Sequence, residues 1–153
     1  TYYDPESGSF GALGHGITDV DTAQLMSLGS GSIMETTVKA VKKGEKGDPG
    51  ELKGDFTVQR DVGTVTVNSD GGIFGTVSDA SFPAQGEAVP VASADEVTTG
   101  RAVIRTTVCG DEIREYEVQI VKVYRDEDST RNLLLRITDP ELLQTTGGIV
   151  QGM

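Results

Sequence analysis

Glycine sets the scale of any fold this chain can adopt. Twenty of the 153 residues are Gly, and they separate short β-branched runs so closely that no stretch sustains helical periodicity. Ile33 to Val41 reads as a strand on its β-branched content. Lys42 to Gly54 is charged and glycine-rich. Its Gly44, Gly47 and Gly50 begin a G-x-y pattern that Lys53 interrupts, so a collagen-like helix is excluded and an exposed loop is predicted. Four β segments are expected next, at Phe56 to Arg60, Val62 to Val67, Ile73 to Val77 and Ala88 to Val91. Gly71, Gly72 and Pro83 punctuate them.

Gly100 to Cys109 and Ile113 to Tyr124 read as a long hairpin around Gly110 and Asp111. In its second arm Glu115, Glu117 and Gln119 alternate with Tyr116, Val118 and Ile120, which marks a half-buried antiparallel strand. Tyr2 and Tyr3 open the chain as a strand end, followed by a turn at Asp4-Pro5 and a short second strand. Leu133 to Ile137 is another strand. Asp139 before Pro140 is an N-cap followed by Pro at the first helical position, which predicts a single helical turn. About nine short strands joined by turns predict a mostly β sandwich or closed barrel. The length suits one domain, 1–153, with no internal repeat or boundary.

Charge and composition remove several functions. Thirteen Lys and Arg against 24 Asp and Glu leave a net charge of −11. That field repels phosphate backbones and anionic lipid heads, so no nucleic-acid partner is expected. One Cys excludes an intrachain disulfide, and one Cys with one His excludes a Cys/His zinc site. No apolar run reaches the ~20 residues of a membrane span and no signal peptide opens the chain, so a soluble fragment without membrane insertion of its own is expected.

Few residues remain to carry chemistry. His15 is the one side chain whose ordinary pKa lies near neutrality, so a general base of the usual kind has to be this residue; otherwise it is a polar turn residue. Gly14 and Gly16 let the backbone turn sharply around it. Cys109 ends an apolar strand and reads as a buried, inert thiol, with a Cys109–His15 thiol dyad as the reactive alternative. Asp19 and Asp21 have no further oxygen ligands at calcium-loop spacing and read as a solvated turn. Asp139 is either a helix cap or the acid that orients a histidine. Gly147, Gly148 and Gly152 would bring backbone N–H groups close to a neighbour.

Two segments, Phe10-Gly-Ala-Leu-Gly-His-Gly-Ile-Thr-Asp-Val-Asp-Thr22 and Ile137-Thr-Asp-Pro-Glu-Leu-Leu-Gln-Thr-Thr-Gly-Gly-Ile-Val-Gln-Gly-Met153, together resemble the SpoIVB sporulation serine peptidase family. Ile73-Phe-Gly75 resembles it too. The resemblance implies a trypsin-like double β-barrel serine peptidase domain whose C-terminal part is missing here. It makes His15 the general base and Asp139 the third triad member. The nucleophile would be the Ser that follows Met153 in the family, so the chain alone is expected to be inactive. Gly152 would then donate an N–H to the oxyanion. Because Asp139 lies 124 residues after His15, far for a trypsin-like enzyme, Asp61 is the second candidate acid and Asp19 the third.

Family members also carry a membrane segment and a PDZ domain, which this chain does not contain. The resemblance implies no cofactor and no metal. Its implied partner is a protein substrate, the regulator of an intramembrane metalloprotease, cleaved between the mother-cell and forespore membranes to activate late sporulation transcription. The alternative is a non-catalytic binding domain with the same fold. Cleavage preference and oligomeric state have no signature in these residues.

Overall fold

The computed structural model describes residues 1–79, 81, 87–126 and 132–148, without the side chains of 57–59. Eight strands and one helix are formed among them: β1 (Tyr2–Tyr3), β2 (Ser9–Ala12), β3 (Ser32–Lys42), β4 (Glu51–Ser69), β5 (Gly72–Val77), β6 (Gly100–Thr106), β7 (Arg114–Val123), β8 (Leu133–Ile137) and α1 (Pro140–Thr146). The strands form a five-stranded sheet in the order β1-β2-β5-β4-β3 and a three-stranded sheet in the order β6-β7-β8. The contacts group the chain into two compact units. The first holds Thr1–Glu35 and Phe56–Ala88, the second Thr36–Asp55 and Val89–Met153.

Register explains the core of the first unit. Tyr3, Phe10, Gly75 and Val65 are successive cross-strand partners along β1, β2, β5 and β4. Phe10, Val65 and Ile73 are buried, with Tyr3, Ala12, Ile33 and Val77 packed on them. Full burial of such a side chain contributes about 1.5–3 kcal/mol. Gly75 is required opposite Phe10, because a Cβ there would stand 2.9 Å from the ring and collide with the Thr64 carbonyl. The register shifts between Val65 and Val67, where a bulge places Thr66 outside the pairing.

β7 is the middle strand of the second unit. Its Tyr116 and Val118 are buried while Glu115, Glu117 and Gln119 are exposed, as the alternation predicts. Arg101 and Arg105 of β6 pair with Glu117 and Glu115 across the exposed face at 2.6 and 2.7 Å. The opposite face packs Tyr116 against Val108 and Leu142, with Leu52, Ile104 and Ile137 around them. Leu142 brings α1 into this core.

Some element expectations are corrected. Phe56 to Arg60 and Val62 to Val67 belong to one 19-residue strand, β4, since neither Gly nor Pro breaks the chain at Asp61. β4 starts at Glu51, so the predicted loop shrinks to 43–50, with Gly44 and Gly50 buried. Ala88 to Val91 forms no strand. Pro90 removes a ladder donor there, and Val91 is 96% exposed, so no packing supports pairing. The helical turn extends through seven residues and stops at Gly147, whose left-handed conformation (φ 74°) lets its N–H bond the Leu143 carbonyl.

Candidate functional site

The turn after β2 carries His15. Leu13 and Gly14 both take left-handed conformations, at φ 75° and 64°. For Leu13 that conformation costs on the order of 1–3 kcal/mol and persists only where the surroundings enforce it. They do so from the β4–β5 hairpin. Gly72 lies so close below the turn that a Cβ would stand 2.6 Å from the Ala12 carbonyl and 3.2 Å from the Gly14 nitrogen. Gly16 sits equally tightly: a Cβ there would meet the Leu25 side chain and stand 2.6 Å from the Ser69 carbonyl. The two glycines beside His15 thus serve different needs, a left-handed turn at Gly14 and a close approach at Gly16.

Asn68 fastens the far side of the turn. Its Oδ1 accepts from the Ile17 N–H at 2.8 Å, and its Nδ2 donates to the carbonyls of Ile17 and Met26, both at 2.9 Å. His15 itself is exposed, and its Nδ1 lies 3.0 Å from the Gly16 carbonyl oxygen. A carbonyl only accepts, so this bond requires the proton on Nδ1 and leaves the lone pair on Nε2. That is the tautomer a general base working through Nε2 needs.

The candidate acids have other local partners. Asp61 lies exposed in β4, and its carboxylate accepts from the Ser32 hydroxyl at 3.0 Å. Asp19 accepts from the Thr22 N–H and hydroxyl, both at 2.9 Å, and from the Asp21 N–H at 3.2 Å. These bonds, with the Thr22 amide foremost, hold its carboxyl below the usual range; it is the turn residue its spacing suggests. In the second unit Asp139 is partly buried and caps α1, its Oδ1 accepting from the Leu142 N–H at 3.0 Å. Its Oδ2 has no hydrogen-bond partner among the described residues.

Cys109 is exposed, which corrects the expectation of a buried thiol. Val108 takes the inward position, and β6 has already ended at Thr106, so the next residue turns outward. Gly152 lies outside the described residues. Among those residues no cluster of His, Cys, Asp and Glu could hold a metal, and no helix is long and apolar enough to cross a membrane.

The model of the SpoIVB peptidase S55 family matches the chain over residues 1–153. The chain belongs to that family. Comparisons with curated proteins and with solved structures give no significant match. Membership makes this SpoIVB-type S55 chain part of a serine protease family, and its mostly β structure agrees with a trypsin-like sheet fold. No nucleophile or complete triad is identifiable among the described residues of this S55 chain. Sequence reasoning placed His15 in its glycine turn but missed Asn68. Its position just before Asp70-Gly71-Gly72 looks like ordinary turn chemistry, and nothing local announces partners 42 and 51 residues away.

Proposed function

We propose that this chain supplies the general base and the acid of a serine endopeptidase centre, built on a trypsin-like double β-barrel. His15 Nε2 takes the proton of a serine hydroxyl as that oxygen attacks the peptide carbonyl, then returns it to the leaving amine. Asp139 is the acid that stabilises the imidazolium. For this its Oδ2, which accepts no hydrogen bond among the described residues while Oδ1 caps α1, takes over the His15 Nδ1–H from the Gly16 carbonyl. The Gly152 N–H serves the oxyanion, where the lack of a side chain allows close approach.

On the family resemblance the nucleophile is the serine that follows Met153. The substrate is a regulatory protein of an intramembrane metalloprotease, cut between the mother-cell and forespore membranes to release late sporulation transcription. The observation that carries the reading is the bond between His15 Nδ1 and the Gly16 carbonyl, which presents a basic Nε2 on an exposed turn.

A fluorophosphonate probe tests the proposal on the full-length gene product. Labelling is expected, and His15→Ala should abolish it and lower kcat by about six orders of magnitude. Asp139→Asn keeps a capping side chain, so it should lower activity strongly at nearly unchanged thermal stability, whereas Asp61→Asn should lower it little. A folded full-length protein that takes no label would overturn the assignment and leave a binding domain of the same fold.

A further inference from the structure

A cleft of about 230 Å³ opens in the first unit beside the His15 turn, between Ile17, the 26–33 segment, Val65 and Ile73. From its walls we infer that it is a specificity subsite, which takes one apolar side chain of a polypeptide substrate within three residues of the bond being cut. The inference rests on the peptidase reading above and adds to it a substrate class.

Three observations support it. The lining holds no charged side chain, so burying a charged group there would go uncompensated. Apolar surface is nevertheless left open to solvent: Ile17, Met26 and Leu28 are 43, 49 and 37% exposed. None of the three belongs to the buried cluster of this unit. They offer a surface on which a Leu, Met or Phe side chain can be desolvated.

The second observation is mechanical continuity. Ile17 forms a wall of the cleft and lies two residues after His15, a reach of at most about 7 Å along the backbone. Asn68 bonds both polar groups of Ile17 and the Met26 carbonyl, so the turn and the cleft wall are held by one side chain. An extended peptide advances about 3.3 Å per residue, which places the accommodated side chain within two or three residues of the scissile bond.

The third is the rim. Ser27, Gly29, Ser30, Gly31 and Ser32 are all small, so a substrate backbone can approach without meeting long side chains. A cleft of this size fits one large apolar side chain and is below the range typical of sites for drug-sized ligands.

The test is a proteome-derived peptide library cut by the full-length gene product, with cleavage sites read by mass spectrometry. Leu, Ile, Met or Phe should be enriched at one fixed position within three residues of the cut. Leu28→Glu and Met26→Glu should each reduce the kcat/KM advantage of Leu over Gly at that position by about tenfold and shift preference there toward Lys and Arg. Both substitutions fall on exposed positions, and thermal unfolding checks that they fold. Cleavage without apolar enrichment, or with enrichment that both folded variants retain, would overturn the subsite. A folded enzyme that cuts nothing and takes no fluorophosphonate would overturn the peptidase reading beneath it.

Discussion

Asn68 joins three strand and loop positions with one short side chain, and the geometry of His15 depends on it. Replacing it with Ala removes three hydrogen bonds to groups that water can partly reach, so the loss should be about 1–2 kcal/mol of unfolding free energy in urea, less than three buried bonds would cost. The Ile17 amide should also exchange faster with solvent than in the parent, which assigns the loss to this turn. Asp79 makes a prediction of a different kind. The Ser81 hydroxyl at 2.6 Å and amide at 2.8 Å, followed by the Arg60 guanidinium, hold its carboxyl at about 2 against an ordinary 3.8. Above 3.8 both folded and unfolded forms are ionised and the contribution is complete. As pH falls from there toward 2 the unfolded chain takes the proton first, and the contribution disappears. Asp79→Asn should therefore be less stable than the parent at pH 6 and should converge with it near pH 2. Parallel stability curves down to pH 2 would mean that these bonds add nothing to folding.

α1 shows how local chemistry and tertiary packing divide the work within one element. Asp139 and Pro140 fix its start in a way any reader of the sequence can recognise, and the cap is formed as expected. Its end was legible only in part. A close backbone approach was expected at Gly147 but not the helix end, and the reason the residue must be Gly lies about 100 residues away: a Cβ there would run into the Gly44 carbonyl and stand 3.1 Å from the Gly44 nitrogen, which itself donates to the Thr146 carbonyl at 2.8 Å. Gly147→Ala combines a left-handed backbone with that collision, so it should cost more than the ~1 kcal/mol expected from the conformation alone, about 2–4 kcal/mol by chemical denaturation. A loss no larger than that of an exposed C-cap glycine would show that the 43–50 loop yields freely. The same split holds for the strands. The alternation in β7 was legible because one of its faces is buried and the other wet. β4 was expected as two pieces although neither Gly nor Pro stands at Arg60 or Asp61, and its pairing with β5 covers only Gly63–Ser69.

At the scale of the molecule, the mostly β character followed from glycine spacing and β-branched runs, whereas the grouping into two compact units did not. β3 and β4 are each divided between the units, at Glu35 and Asp55; Glu35 has no Pro or Gly beside it, and the Lys53-Gly54 before Asp55 lies inside a continuous strand, so neither position reads as a linker. The candidate site was legible to a similar degree. His15 stood out as a lone histidine between glycines, but the Gly16 carbonyl and Asn68 that orient its turn are backbone and long-range partners without a local pattern. Charge is the whole-molecule property that the sequence does state in full, and it carries a prediction. The ion pairs Lys42–Asp48, Arg101–Glu117 and Arg114–Glu141 are solvent-exposed, and each such pair contributes only about 0–1 kcal/mol. Against them stands an excess of eleven negative charges whose mutual repulsion acts over the whole surface and opposes compaction. Added salt screens both, but the repulsion is the larger and longer-ranged, since the Debye length falls from about 30 Å at 0.01 M to about 8 Å at 0.15 M. The thermal midpoint should rise by a few degrees, about 2–4 °C per kcal/mol gained, between 10 and 150 mM NaCl at neutral pH. A midpoint that falls over that interval would mean that the exposed pairs, not the excess charge, govern the electrostatics of this fold.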